Sequence, residues 1–174
     1  MAGSGNTINV SLDSSLISGV KNTIDDSDSA LLGSGLMNSI IGVSNMSSLV
    51  SGELNVVTAS THSILGAGIK NKITSSDRAA LMAGSGNTIN ISLDSSLISG
   101  VNNTIDDSDS ALLGAGLNNS IIGVSNMSSL VSGELNIVTA STHSILGAGL
   151  NNRMNSAPHS TLSSGIDNLI LSGD

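Results

Sequence analysis

Along the chain, a leucine stands three residues before a glycine and an aliphatic residue stands five residues after it, repeatedly and in fixed order. The glycines are Gly3, Gly19, Gly35, Gly52, Gly68, Gly84, Gly100, Gly116, Gly133, Gly149 and Gly165. Each step is 16 residues, except Gly35 to Gly52 and Gly116 to Gly133, which are 17. Counted from the glycine, positions −5, −3 and −1 carry Ser/Ala, Leu and Ser/Ala in all ten complete repeats, and position +5 carries Ile, Val or Met. Alternate inward residues mark β-strands, so each repeat reads as two short strands meeting at the glycine, with a loop at the far end. A period this short specifies stacked coils rather than one globular core. The expected fold is all-β, a parallel β-roll (solenoid) of eleven coils with the last incomplete, roughly 50 Å long at about 4.8 Å per strand step.

Position +3 is always asparagine: Asn6, Asn22, Asn38, Asn55, Asn71, Asn87, Asn103, Asn119, Asn136, Asn152 and Asn168. A polar residue on an inward face needs partners. Stacked amides supply them coil to coil, so these residues are expected to form a structural ladder. The glycine before each one adopts a backbone conformation that other residues resist.

The outer face of the first strand pairs large with small. Positions −4/−2 read Ser15/Ile17, Leu31/Gly33, Ser48/Val50, Ile64/Gly66, Ala80/Met82, Ser96/Ile98, Leu112/Gly114, Ser129/Val131 and Ile145/Gly147. Close packing imposes volume matching of this kind and solvent does not. The face is therefore expected to be buried against other copies of the chain, with the large members and glycines of these pairs, Met82 and Gly66 among them, as the interface of a homo-oligomer. The outer face of the second strand is mostly polar at +2 and +4, as in Lys21/Thr23, Lys70/Lys72 and Asn151/Arg153, and is expected to be wet. Leu54/Val56 and Leu135/Ile137 depart from this after the two longer repeats, where Glu53 and Glu134 take the corner position. Either the corner flips locally or an apolar spot is exposed, and the flip is the expected reason for the leucines.

A larger repeat lies above the coil. Residues 1–68 match 82–149 except at Val10/Ile91, Lys21/Asn102, Ser34/Ala115, Met37/Asn118 and Val56/Ile137. The chain thus reads as one β-roll over 1–174, with an 81-residue duplication, 1–81 and 82–162, and a final partial coil, 163–174. Met1 falls at the repeat position of Met82, which suggests a piece of a longer chain.

Composition narrows the function classes. There is no Phe, Tyr, Trp or Cys, although 39% of residues are hydrophobic, which suits a core too narrow for a ring. Strict placement of Leu and Ile argues against disorder. The net charge is −8, and the five basic residues are scattered, so no nucleic-acid partner is expected. No apolar run approaches a membrane span, no signal peptide opens the chain, and no direct membrane contact is expected.

Segments such as Ser29-Ala-Leu-Leu-Gly-Ser-Gly-Leu-Met-Asn-Ser-Ile40 and Ser63-Ile-Leu-Gly-Ala-Gly-Ile-Lys-Asn-Lys-Ile73 resemble the head repeats of trimeric autotransporter adhesins of the YadA type. The resemblance covers essentially the whole chain. It implies a left-handed parallel β-roll assembled as a homotrimer, displayed on the outer membrane of a Gram-negative bacterium and facing outward. It also implies attachment to host extracellular matrix proteins or cell-surface receptors, a virulence function. The chain departs from the family in lacking a coiled-coil stalk, neck and membrane anchor, and in using Leu/Ile where many heads use Ala/Val. A passive β-solenoid spacer of a phage or surface fibre is the other reading.

Few residues suggest chemistry. Asp25-Asp26-Ser27-Asp28-Ser29 and Asp106-Asp107-Ser108-Asp109-Ser110 match D-x-S-x-S, a metal motif of doubly wound α/β domains that this chain cannot build. Three carboxylates in five residues suit Ca²⁺ but equally a solvated acidic loop, so no metal is assigned. His62 and His143 lie in Thr-His-Ser loops and His159 in the divergent tail. The trimeric hexapeptide acyltransferases also use histidine, but their period of 18 is absent here. No catalytic constellation stands out, and neither enzyme activity nor a cofactor is expected. The residues free to meet a ligand are Lys21, Thr23, Asp25, Asp26, Asp28, Lys70 and Lys72, repeated shallow contacts that gain strength from multiplicity.

Overall fold

The computed structural model describes residues 3–172. Met1 lies outside them, as do residues 173–174 of the final partial coil. The described residues form 21 short strands: β1 (Thr7–Asn9), β2 (Ser15–Leu16), β3 (Thr23–Asp25), β4 (Leu31–Leu32) and so on alternately to β20 (Thr161–Leu162) and β21 (Leu169–Leu171). The three-residue strands build an 11-stranded sheet and the two-residue strands a 10-stranded sheet. Every pairing is parallel and joins a residue to its equivalent one coil on, as in Ile8↔Ile24 and Leu16↔Leu32. A third column of single parallel bridges runs through the +1 corner, from Ser4↔Val20 to Leu150↔Ile166. The protein is a β-solenoid with coils of about 16 residues.

The core follows from one leucine and one aliphatic residue per coil. Leu32, Leu49 and Leu65 face Ile40, Val57 and Ile73, all fully buried. Full burial of such a side chain contributes about 1.5–3 kcal/mol, and its neighbours above and below are residues of the same kind. At the corner, Gly35 adopts φ +116, and an added Cβ would overlap the Gly52 carbonyl and the Asn38 amide. Glycine meets both demands there.

Serine carries the polar interior. In the loop, the Ser44 N–H donates to Ser27 Oγ at 3.2 Å, Ser60 to Ser44 at 3.2 Å and Ser76 to Ser60 at 2.9 Å. Each hydroxyl in turn donates within its own coil, as Ser76 Oγ does to the Thr74 carbonyl at 2.8 Å. A second serine column at −5 is interrupted by Ala30, Ala79 and Ala111. The loop backbone that would otherwise be buried and unpaired is thereby satisfied.

The two 17-residue repeats absorb their extra residue in the loop. Gly42 and Val43 both have positive φ (64 and 51), and their N–H groups donate to the Asp25 and Asp26 carbonyls at 3.1 and 2.6 Å. The frame is restored before the corner. Glu53 keeps its place in the bridge column between Leu36 and Ile69, and the Leu54 N–H donates to the Leu36 carbonyl at 2.9 Å. The flip expected at Leu54 and Leu135 does not occur, because the insertion is taken up upstream.

Candidate binding surfaces

Two surfaces present themselves to a partner. The first is the outer face of the two-residue strands. Ile17, Leu31, Val50, Ile64, Met82, Ile98, Leu112, Val131 and Ile145 are exposed there, between 40 and 61%. The large side chains zigzag up the face, with hollows at Gly33, Gly66, Gly114 and Gly147. These glycines answer a demand within the chain. A Cβ at Gly33 would overlap the carbonyl of Val50, and one at Gly114 the carbonyl of Val131. A side chain at Gly33 or Gly114 therefore collides with the next coil of its own chain, whatever lies outside it.

The second surface is the wet face and the loop edge beyond it. Lys21 and Lys70 occupy the same +2 column, three coils apart, each with positive φ and both exposed. Lys72 is exposed, and Thr23 is half-buried, in register with Thr7 and Ser39. Asp25, Asp26 and Asp28 share one coil edge and are engaged locally. The Asn9 amide donates to Asp25 Oδ1 at 2.8 Å, the Leu12 N–H donates to Asp28 Oδ1 at 2.7 Å, and the Asp28 N–H donates to Asn45 Oδ1 at 2.7 Å. The acidic cluster and the Lys70/Lys72 pair are three coils apart, so the seven candidate residues form a stripe rather than one site. The second copy repeats these bonds: Asn90 to Asp106 at 2.8 Å, Leu93 N–H to Asp109 at 2.7 Å, and Asp109 N–H to Asn126 at 2.7 Å.

Among the described residues no group of three His, Cys, Asp or Glu converges to hold a metal ion. Asp28 and Asp109 act instead as acceptors for the backbone of the preceding coil. His143 and His159 stack at 5.1 Å with planes 8° apart, a consequence of equivalent positions on neighbouring coils. Arg78 pairs with Asp94 one coil on, with Nη2 to Oδ2 at 2.8 Å. The hydrogen bonds from Arg78 draw the Asp94 pKa below its usual value, and the guanidinium charge adds to them against an opposing desolvation effect. Both groups are exposed, so this pairing is a surface decoration.

The asparagine column is buried from Asn22 to Asn152, away from either surface. Asn38 donates through Nδ2 to the Ser34 carbonyl at 3.1 Å and the Gly52 carbonyl at 2.8 Å, and its Oδ1 accepts the Asn55 N–H at 3.0 Å. Asn119 repeats the set with Ala115, Gly133 and Asn136 at 3.2, 2.8 and 3.0 Å. All of its capacity is spent on the coil. Comparison with protein-family models and with curated proteins finds no match.

Proposed function

We propose that the chain is the head of a bacterial surface adhesin, a left-handed roll that assembles as a parallel homotrimer and attaches to host matrix proteins or cell-surface receptors. The observation that carries this reading is the apolar zigzag on the outer face of the two-residue strands. A soluble single chain seldom exposes so long an apolar strip. With coils about 4.8 Å apart, the strip from −4 to +1 covers roughly 900 Å², comparable with the about 800 Å² per partner of a stable interface. Three copies packed in register would set each −4 residue against a neighbour's −2 residue, so Leu31 meets Gly33 and Ser15 meets Ile17. The wet face and loop edge would then remain outward for adhesion, without turnover. The resemblance of the repeats supports the bacterial outer-surface setting.

Sedimentation of the full chain and binding to immobilised collagen, laminin and fibronectin test the reading. A trimer that binds one of them supports it. A monomer removes the assembly. A trimer that binds none favours the passive spacer, which the continuous rigid ladder would serve equally well.

A further inference from the structure

Four β-branched residues among those described have positive φ: Val10 (45), Val43 (51), Ile91 (46) and Val124 (54). A branched Cβ clashes with its own backbone in that region, so such residues are outliers. Val10 and Ile91 occupy a loop column that elsewhere holds Asp26, Ala59, Ser75, Asp107, Ala140 and Ser156, and Val43 and Val124 are the inserted residues beside Gly42 and Gly123. Folding gains nothing visible from the branch, because the four are 55 to 74% exposed. Strain that the packing does not require directs attention to contact with something else.

The four fall into two equivalent places. Val10, Leu12 and Val43 line a groove of about 420 Å³ together with Ser11, Asp26, Asp28 and Asn45. Leu12 is 73% exposed. The 81-residue repeat places Ile91, Leu93 and Val124 with Asp107, Asp109 and Asn126 in the equivalent register, where Leu93 is less open, at 40%, with the coil of Asp77 and Arg78 preceding it. The hydrogen bonds from Leu93 to Asp109 and from Asp109 to Asn126 hold it to the same distances. Val10 and Ile91 differ between the copies, yet both are branched and apolar. No basic residue lines the groove, and the chain carries a net charge of −8.

We propose that these two notches are equivalent docking sites for basic peptide segments bearing an aliphatic side chain. The aliphatic group seats between Val10, Leu12 and Val43 or their counterparts, and the flanking lysine or arginine pairs with the outward carboxylates. Five coils separate the notches, about 24 Å at about 4.8 Å per coil, so one partner with two such segments can engage both and gain avidity. The proposal deepens the adhesion reading by naming the contact surface and the chemistry it selects.

The test is calorimetric titration of the full chain with a soluble peptide of alternating lysine and leucine. Two equivalents per chain are expected. Val10→Gly with Val43→Gly should halve the stoichiometry, and adding Ile91→Gly with Val124→Gly should weaken binding at least tenfold. Because glycine accepts positive φ without strain, the melting temperature of these variants should not fall. A lower melting temperature in the glycine variants would show that the branched residues serve the fold and overturn the proposal. Unchanged binding by the quadruple variant, equal binding of a lysine–serine peptide, or preference for phosphatidylcholine vesicles over the peptide would each overturn it as well. Failure to bind the peptide while attachment to a matrix protein persists sinks this proposal alone. Peptide binding with no attachment to any matrix protein sinks the adhesion reading alone.

Discussion

The Asn38 backbone N–H donates to the amide oxygen of Asn22 at 2.9 Å, so one side chain closes the corner of the coil that follows it. The amide nitrogen of Asn22 holds its own coil through the Ser18 carbonyl at 3.1 Å and the next coil through the Gly35 carbonyl at 2.9 Å. Each corner is thus fixed by the residue before it and fixes the one after. In a solenoid, where each repeat touches only its neighbours, such a link carries the cooperativity.

Asn38→Ala should lower stability by about 1–3 kcal/mol, because it leaves the Asn55 N–H and the Gly52 carbonyl short of a partner. Asn38→Asp keeps the acceptor but sets a buried carboxylate oxygen against the Ser34 and Gly52 carbonyls, so near neutral pH it should destabilise at least as much. Chemical denaturation of both variants checks this. If peptide or matrix binding is lost at unchanged stability, the asparagine column is a contact surface and the structural reading is wrong.

Ser76→Ala removes the acceptor of the Ser92 N–H, bonded at 3.0 Å, and should cost about 1–3 kcal/mol. The loss should be local. Amide exchange is the suitable measurement, with protection falling most at Ser92 and in the adjoining coils. Uniform loss along the chain would contradict nearest-neighbour behaviour.

Gly33→Ala and Leu31→Ser separate folding from assembly. The first should destabilise even an isolated chain, because the new Cβ meets the Val50 carbonyl. The second alters a half-exposed side chain, so the coil should persist while sedimentation shifts toward smaller species. Unchanged sedimentation of Leu31→Ser combined with Leu112→Ser would count against a trimer built on this face.

Asp94 should titrate below the ordinary carboxylate range, and Arg78→Gln should return its midpoint toward that range. A depressed folded-state pKa means that the pairing contributes at and above the unfolded pKa and is lost as pH falls through the folded value. Acid therefore removes it and neutral pH keeps it. Carboxyl NMR titration of both forms measures the shift directly, and no difference between them would show the pair to be inactive in solution.

The alternation of Leu32, Asn38 and Ile40 about Gly35 carried the solenoid in the sequence, since period and polarity there have one geometric solution. The serine column was not legible. Serine at Ser27, Ser44 and Ser60 lies in segments that read as solvent-facing loops, and only stacking reveals that one hydroxyl faces the next backbone. The positive φ values at Lys21, Met37 and Leu54 left a partial trace: the same column holds Gly5, Gly86, Asn102, Asn118 and Asn151, the residue types that usually announce such a turn. Volume matching at Leu31/Gly33 was visible in the sequence. Its intrachain cause, the close Val50 carbonyl, exists only once the coils are stacked. The notches at Val10 and Ile91 left a readable trace, a branched residue in a column of Asp, Ser and Ala, which means something only once that column is known to be left-handed.

Parallel ladders whose residues meet their own equivalents have a mechanical consequence. The hydrogen bonds between coils lie along the long axis, so tension applied at the two ends loads them one rung at a time instead of shearing a whole sheet. Peeling one coil of 16 residues frees roughly 55 Å of chain at about 3.4 Å per residue. A pulled chain would lengthen in even increments at nearly constant force, acting as a yielding tether that dissipates a pull before any contact at its far end is broken.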